Sequence, residues 1–237
     1  MKDNSIIYIA DIDQDIDDII AAEYLHIRNV LMGVVLDPLP KSVEGWSRVE
    51  RLEKMGVKVF KEIPLCNAIF IGGAFTKVAE YLEVNNVHSI VANGGFVGSN
   101  IVKLSDQLDK FKGKKFVRTF NFNIDVESTV KVLNSLNVVS ISLIGKNVCH
   151  SEKNTINGIW KNHEFLKKYH LKDIKRLHDL LMCREGINLI DGEPTLLDYR
   201  TVTPINEGLK GNMTKWGSQL WDSQNMGIGV KAAVGWK

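Results

Sequence analysis

Short apolar runs alternate along the chain with amphipathic stretches. Ile6-Ile7-Tyr8-Ile9-Ala10 reads as a buried strand by its length and β-branched content, and Asp17 to Leu25 (DDIIAAEYL) predicts a helix that opens on acidic residues. Val30 to Leu36 (VLMGVVL) predicts a second strand, followed by a Pro38/Pro40 turn and a helix from about Val43 to Met55. Val57 to Phe60, Asn67 to Ile71 and His88 to Ala92 read as further strands, with a helix through Thr76 to Leu82 after Gly72-Gly73. A helix from Asp125 to Leu136 leads into the buried strand Val138 to Ile144 (VVSISLI). This alternation predicts an α/β fold: a mainly parallel sheet with helices on both faces.

Ile174 to Met182 reads as helical, and after about Gly186 the pattern changes. Ile187 to Ile190 and Thr195 to Tyr199 flank Asp191-Gly192-Glu193-Pro194, which predicts an antiparallel hairpin, and Met226 to Val234 is strand-like. The expectation is one domain over residues 1–237 with this antiparallel appendage at its C-terminal end.

Ligands of such sheets bind at the carboxyl ends of the strands. The first predicted strand ends in five aspartates within eight residues: Asp11, Asp13, Asp15, Asp17 and Asp18. Two like charges about 4 Å apart repel by about 1 kcal/mol in water and about 4 kcal/mol at an effective dielectric of 20. A helix N-terminus offsets only about 0.3–1 kcal/mol per acid. A hard divalent cation neutralises such a cluster, and Ca²⁺ accepts six to eight oxygen ligands in irregular geometry. Helix N-capping by Asp15 or Asp17 with solvated neighbours is the alternative. Asp37, the Gly72-Gly73 turn, the Asn93-Gly94-Gly95 turn and the segment Thr119 to Asn123 fall near the same strand ends.

Composition narrows the classes. At 237 residues and 44% hydrophobic the chain can bury a large core, and a net charge of +2 is too balanced to imply a stable nucleic-acid complex. No apolar run approaches the ~20 residues of a membrane span. The first apolar stretch is broken by Asp11 and lacks a small-residue cleavage site, which argues against a signal peptide. Cys66, Cys149 and Cys183 are odd in number and lack metal-site spacing, which fits reduced thiols in a cytoplasmic protein.

The spacing D-x-D-x-x-x-D-D after a strand, here Asp11, Asp13, Asp17 and Asp18, resembles the opening motif of the nucleoside hydrolases, which are Ca²⁺-dependent N-ribohydrolases. The resemblance continues in order. Ile71 to Ala79 (IGGAFTKVA) looks like the family segment in which a Thr carbonyl binds the metal, and Asn93-Gly94-Gly95-Phe96 is similar to its glycine-pair turn. Phe120 to Glu127 (FNFNIDVE) resembles the ribose-binding Asn segment, and Leu177 to Leu181 (LHDLL) the late His-Asp motif. This resemblance implies hydrolysis of an N-glycosidic bond, with release of free base from a nucleoside or 5′-modified nucleotide and a role in nucleoside salvage. It assigns Asp13, Asp18 and Asp179 with the Thr76 carbonyl to Ca²⁺, Asp13 as general base, and His178, titrating near neutrality, as acid for the departing base. Asp17 would bind a ribose hydroxyl and Asn121 another part of the sugar. Asp37, Asn93, Asn100, Arg118 and Thr119 complete the candidate substrate-binding positions. Family members are commonly dimers or tetramers, so a homo-oligomer is a further expectation. Each of these residues also has an ordinary structural reading: a helix-terminal Thr76, a core His178, a surface Asp179.

The chain departs from the family pattern in three places. It is short, with the missing part between Phe60 and Asn67. Leu36-Asp37 stands where the family has Gly-Asn. Thr119, beside Arg118, stands where the family places an acid near the ribose 5′-hydroxyl. With Lys110-Phe111-Lys112-Gly113-Lys114-Lys115 just upstream, this points to tolerance of a negative 5′ substituent, against the alternative of a solvated Lys-rich loop. Trp216, Trp221 and Trp236 are candidates to stack on a base or to pack in the core. Two other functions remain: a degenerate nucleoside-binding protein, and a HAD phosphatase. The second lacks both the usual residues after Asp13 and a later strand ending in an acidic pair.

Overall fold

The structure, a computed structural model, describes residues 5–13, 16–99, 101–169, 171, 174–204, 220–222 and 230–237. Strand β1 (Ile6–Ala10) lies inside the sheet, paired in parallel with β2 (Leu31–Leu36) on one side and β4 (Ala68–Ile71) on the other. Its side chains are at most 1% exposed, so both faces are buried and the run is continuously apolar instead of alternating. Ile6, Tyr8 and Ala10 pack on one face with α1 (Asp17–Ile27) and α7 (His178–Asp191). Ile7 and Ile9 pack on the other with α3 (Thr76–Leu82) and α5 (Val126–Leu133).

Nine strands among the described residues form one sheet of order β3-β2-β1-β4-β5-β6-β9-β7-β8. The remaining parallel strands are β3 (Val59–Phe60), β5 (Val87–Asn93), β6 (Val138–Ile144) and β9 (Val230–Trp236). Strands β7 (Leu197–Pro204) and β8 (Leu220–Asp222) add the antiparallel edge. Helix α2 (Val43–Lys54) joins β2 to β3, and two short helices, α4 (Phe120–Ile124) and α6 (Lys146–Cys149), flank β6. The α/β architecture expected from the alternating pattern is therefore present. From β1 the chain runs outward to β2 and β3, then returns across β1 to β4. That reversal is a topological switch point, and it opens a crevice beyond the carboxyl ends of β1 and β4. No helix among the described residues is long and apolar enough to cross a membrane.

The C-terminal third differs from expectation. Ile187 to Ile190 are not a hairpin strand: they continue α7, which begins at His178 instead of Ile174 and runs to Asp191. Ile187 is buried against the core face of the sheet, so a helical period of packing overrides the local apolar run. The helix stops at Gly192, in the left-handed region at φ 71°, and Pro194 follows. The antiparallel partner of β7 along its length is β9. The strand expected from Met226 begins within the described residues at Val230, and residues 226–229 lie outside them.

A Cβ at Gly192 would meet no atom within 4 Å, so only backbone strain opposes substitution there. Gly192→Ala is expected to lower stability by about 1 kcal/mol, measured by urea unfolding. An unchanged midpoint would show that α7 does not end in this way.

Candidate active site

The crevice at the switch point holds a cavity of about 220 Å³. Its acidic floor comes from two ends of the chain. Asp11 follows β1 directly, Asp17 and Asp18 open α1, and Asp179 opens α7; all four line the cavity and are only 4–6% exposed. Hydrogen bonds set their positions. Asp18 Oδ1 accepts from Tyr8 Oη at 2.8 Å and from the Asp11 amide at 3.0 Å. Asp17 Oδ2 accepts from the Asp179 amide at 2.8 Å, so it caps α7 and not its own helix. Asp179 Oδ1 accepts from Asn93 Nδ2 at 2.6 Å. Asn121 Nδ2 donates to the Gly72 and Asn93 carbonyls, at 2.7 and 2.9 Å, which ties α4 to the ends of β4 and β5.

Glycine is required where these groups meet. A Cβ on Gly72 would lie 2.3 Å from the Tyr8 hydroxyl and 3.0 Å from Asp179 Cγ. The acidic charge is felt by neighbours: burial, then the charges of Asp179 and Asp18, hold the Tyr8 hydroxyl well above its ordinary value. Cys183 is raised in the same way, by burial and then by Asp179, Asp17 and Asp18.

The rest of the lining is of a different kind. His178 stacks edge-on against His150, ring centroids 4.9 Å apart, and Lys146 from α6 reaches the same cavity. His150 Nδ1 lies 2.7 Å from Lys110 Nζ. Burial, followed by the charges of Lys146, Arg176 and Lys110, pushes His178 down to about 4. Burial, followed by His178, Lys146, Lys110 and Arg176, takes His150 to about 3. Both imidazoles are thus neutral at pH 7, and the expectation that His178 titrates near neutrality is corrected. Phe120 stands at the rim, 51% exposed.

The structure brings together Asp17, Asp18, Asn93, Thr119, Asn121, His178 and Asp179 from the sequence-derived set. It does not bring Asp13, Asp37, Thr76 or Arg118 to the cavity. The Asp13 carboxylate turns toward α2, accepting from the Lys41 amide at 2.6 Å and from Ser42 Oγ at 2.6 Å. The Ser42 hydroxyl and the Lys41 amide hold it below the usual carboxylate range. Asp37 Oδ2 accepts from the Lys77 amide at 2.9 Å in the first turn of α3, and burial raises its carboxyl. Thr76 Oγ1 donates to Asp125, and Arg118 is exposed. Asn100, Trp216 and the Trp221 side chain lie outside the described residues, and Trp236 does not line the cavity. Residues that the sequence reading passed over are Lys146, His150 and, as a site residue, Asp11. Lys146 lies two positions beyond a parallel strand, where the strand-end rule would have found it; His150 has no local signal.

Four buried carboxylates are a hard-oxygen donor set, and their chemistry suits Ca²⁺. As they stand, no three His, Cys, Asp or Glu side chains among the described residues converge on one metal position.

No family profile matches the chain. A protein of Aquifex aeolicus (strain VF5), described as an "Uncharacterized protein", is 30% identical over 195 residues, which cover 75% of this chain and 61% of that protein. The chain thus spans less than two thirds of that relative's length. Among solved structures, the chain is similar to "Plant nucleoside hydrolase - PpNRh1 enzyme" with a TM-score of 0.59. The two are 14% identical, over 99% of this chain and 95% of that one. At this identity the likeness is one of fold: the chain has a nucleoside hydrolase-like α/β fold.

The histidine pair has a consequence for stability. A group whose folded pKa lies below its unfolded value of about 6.5 takes up its proton only on unfolding, so stability falls as pH drops through that value. Stability is expected to decline between pH 6.5 and 5, and to decline less steeply in His150→Gln. Parallel slopes for the two proteins in urea unfolding would refute the buried, neutral His150.

Proposed function

We propose that the chain hydrolyses the N-glycosidic bond of a nucleoside-type substrate, releasing free base and sugar, with Ca²⁺ at the acidic floor. The observation that carries this reading is the meeting of Asp11, Asp17, Asp18 and Asp179 with His178 in one cavity, at the switch point of a nucleoside hydrolase-like fold. Cleavage of such a bond builds positive charge on the sugar, and buried carboxylates are placed to stabilise it.

Asp11, Asp18 and Asp179 would hold the ion. When bound, the ion lowers the pKa of a coordinated water. Asp11, at the end of β1, takes the place that the sequence reading gave to Asp13 and accepts the proton of the attacking water. Asn121 spends its amide N–H groups on the Gly72 and Asn93 carbonyls, so its side-chain oxygen is presented to a sugar hydroxyl. Asp17, fixed by the Asp179 amide, accepts from a second hydroxyl. His178, neutral, donates one N–H to the leaving base, and Phe120 offers a ring for that base to stack on.

A second reading is favoured by one observation: Asp13 is engaged by Lys41 and Ser42 and does not face the cavity. Under it, the fold binds nucleosides without turnover. Chromatography of free base released from a nucleoside panel separates the two. The hydrolase reading expects release with Ca²⁺, loss in chelator, and a fall of about 10³-fold or more in kcat/KM for Asp18→Asn. Binding without release from any nucleoside or nucleotide would establish the second reading instead.

A further inference from the structure

We infer that the substrate of this site carries a phosphate, received by Lys146, Lys110 and His150 beside the acidic floor. The inference rests on the ribosyl-hydrolase reading and names its substrate class.

Three observations converge on it. Lys146 lines the cavity and is half-buried, and its ammonium makes no hydrogen bond or ion pair among the described residues. Its partial burial disfavours the ammonium, and its charge is lowered in pKa for that reason. An ammonium held in this way, with no anion beside it, gains most from a ligand that supplies one. Second, Lys146 is not isolated. Lys110 stands near it, and burial of Lys110, followed by the charges of Arg176, Lys146, Lys114 and Lys175, lowers the Lys110 pKa. Third, the cluster is incompletely neutralised from within. Glu152 answers Arg176 and Lys175, whereas neither Lys110 nor Lys146 has a carboxylate partner among the described residues.

The histidines connect the two signs of charge. Asp179 and His178 are adjacent, His178 stacks on His150, and His150 contacts Lys110. A cavity that carries four carboxylates repels any anion unless cations stand at its edge. A neutral nucleoside gives that edge nothing to bind. A phosphorylated ribosyl compound matches both halves, with sugar hydroxyls toward the aspartates and phosphate oxygens toward Lys146, Lys110 and a His150 N–H.

Calorimetric binding of ribose 5-phosphate and of ribose to the full chain, with Ca²⁺, tests this without requiring turnover. Ribose 5-phosphate is expected to bind about 10- to 100-fold more tightly than ribose, with the advantage shrinking toward unity in Lys146→Gln and falling in Lys110→Gln. Lys110 is exposed, so its variant remains informative should the half-buried Lys146 tolerate substitution poorly. Equal binding of the two sugars, or a phosphate preference unmoved by both variants, would overturn the inference. Parallel base-release assays with nucleosides and their 5′-monophosphates distinguish the two levels. Turnover of nucleosides without preference for nucleotides overturns this inference alone. Selective binding of ribose 5-phosphate with no base release from any compound supports this site and overturns the hydrolytic reading.

Discussion

Asp18 receives the Tyr8 hydroxyl from inside β1 and the Asp11 amide from its end, and the arrangement of the site depends on that pair of bonds. They pin the start of α1 to the strand that precedes it. Asp17, one residue earlier, then reaches the first amides of α7 and fixes Asp179 beside Gly72. Residues 162 positions apart are thus held together by carboxylates that cannot approach one another freely. Like charges at about 4 Å cost about 4 kcal/mol at an effective dielectric of 20. The cluster is tolerable because several of its oxygens are occupied by donors: Tyr8, backbone amides and Asn93. Those bonds are weaker neutralisers than an ion would be, which is the physical reason for proposing Ca²⁺ there.

The strand order turns this local constraint into a site. Because β1 is flanked by β2 and β4, the chain must reverse direction beside it, and the reversal leaves a crevice at the strand ends. Gly72 keeps it open by leaving room for Tyr8 and Asp179, and Asn121 closes its side by bridging the ends of β4 and β5. The wall that carries Lys146 and His150 comes from the segment after β6, a strand that joins the sheet late in the sequence. The acidic floor therefore draws on both ends of the chain and the basic wall on its middle, and the neutral His178–His150 contact joins them.

Much of this was legible in the sequence, and the exceptions have identifiable causes. Buried parallel strands are continuous apolar runs, so β1, β2, β4, β5 and β6 were found within a residue or so at each end. The strand-end rule then placed Asp17, Asp18, Asn93, Thr119 and Asn121 near one another. Ile187 to Ile190 misled because a short apolar run fits a strand or a helix equally well, and only packing of α7 on the sheet decides. Asp13 is placed away from the cavity for a different reason. Spacing shows which residues leave a strand together, but not which way each side chain turns, and Ser42 and Lys41 at the start of α2 compete for that carboxylate. The environment of His178 was equally invisible, since burial depresses it first and the cations that add to this lie at positions 146, 176 and 110.

Whether the cavity carboxylates act together on a cation is tested most directly by calorimetric titration of Ca²⁺ into the chain and two of its variants. Binding of one ion that is lost in Asp18→Asn and retained in Asp13→Asn is the predicted result. No binding to the unaltered chain, or loss in Asp13→Asn with retention in Asp18→Asn, would contradict the assignment of the site to the acidic floor of this cavity.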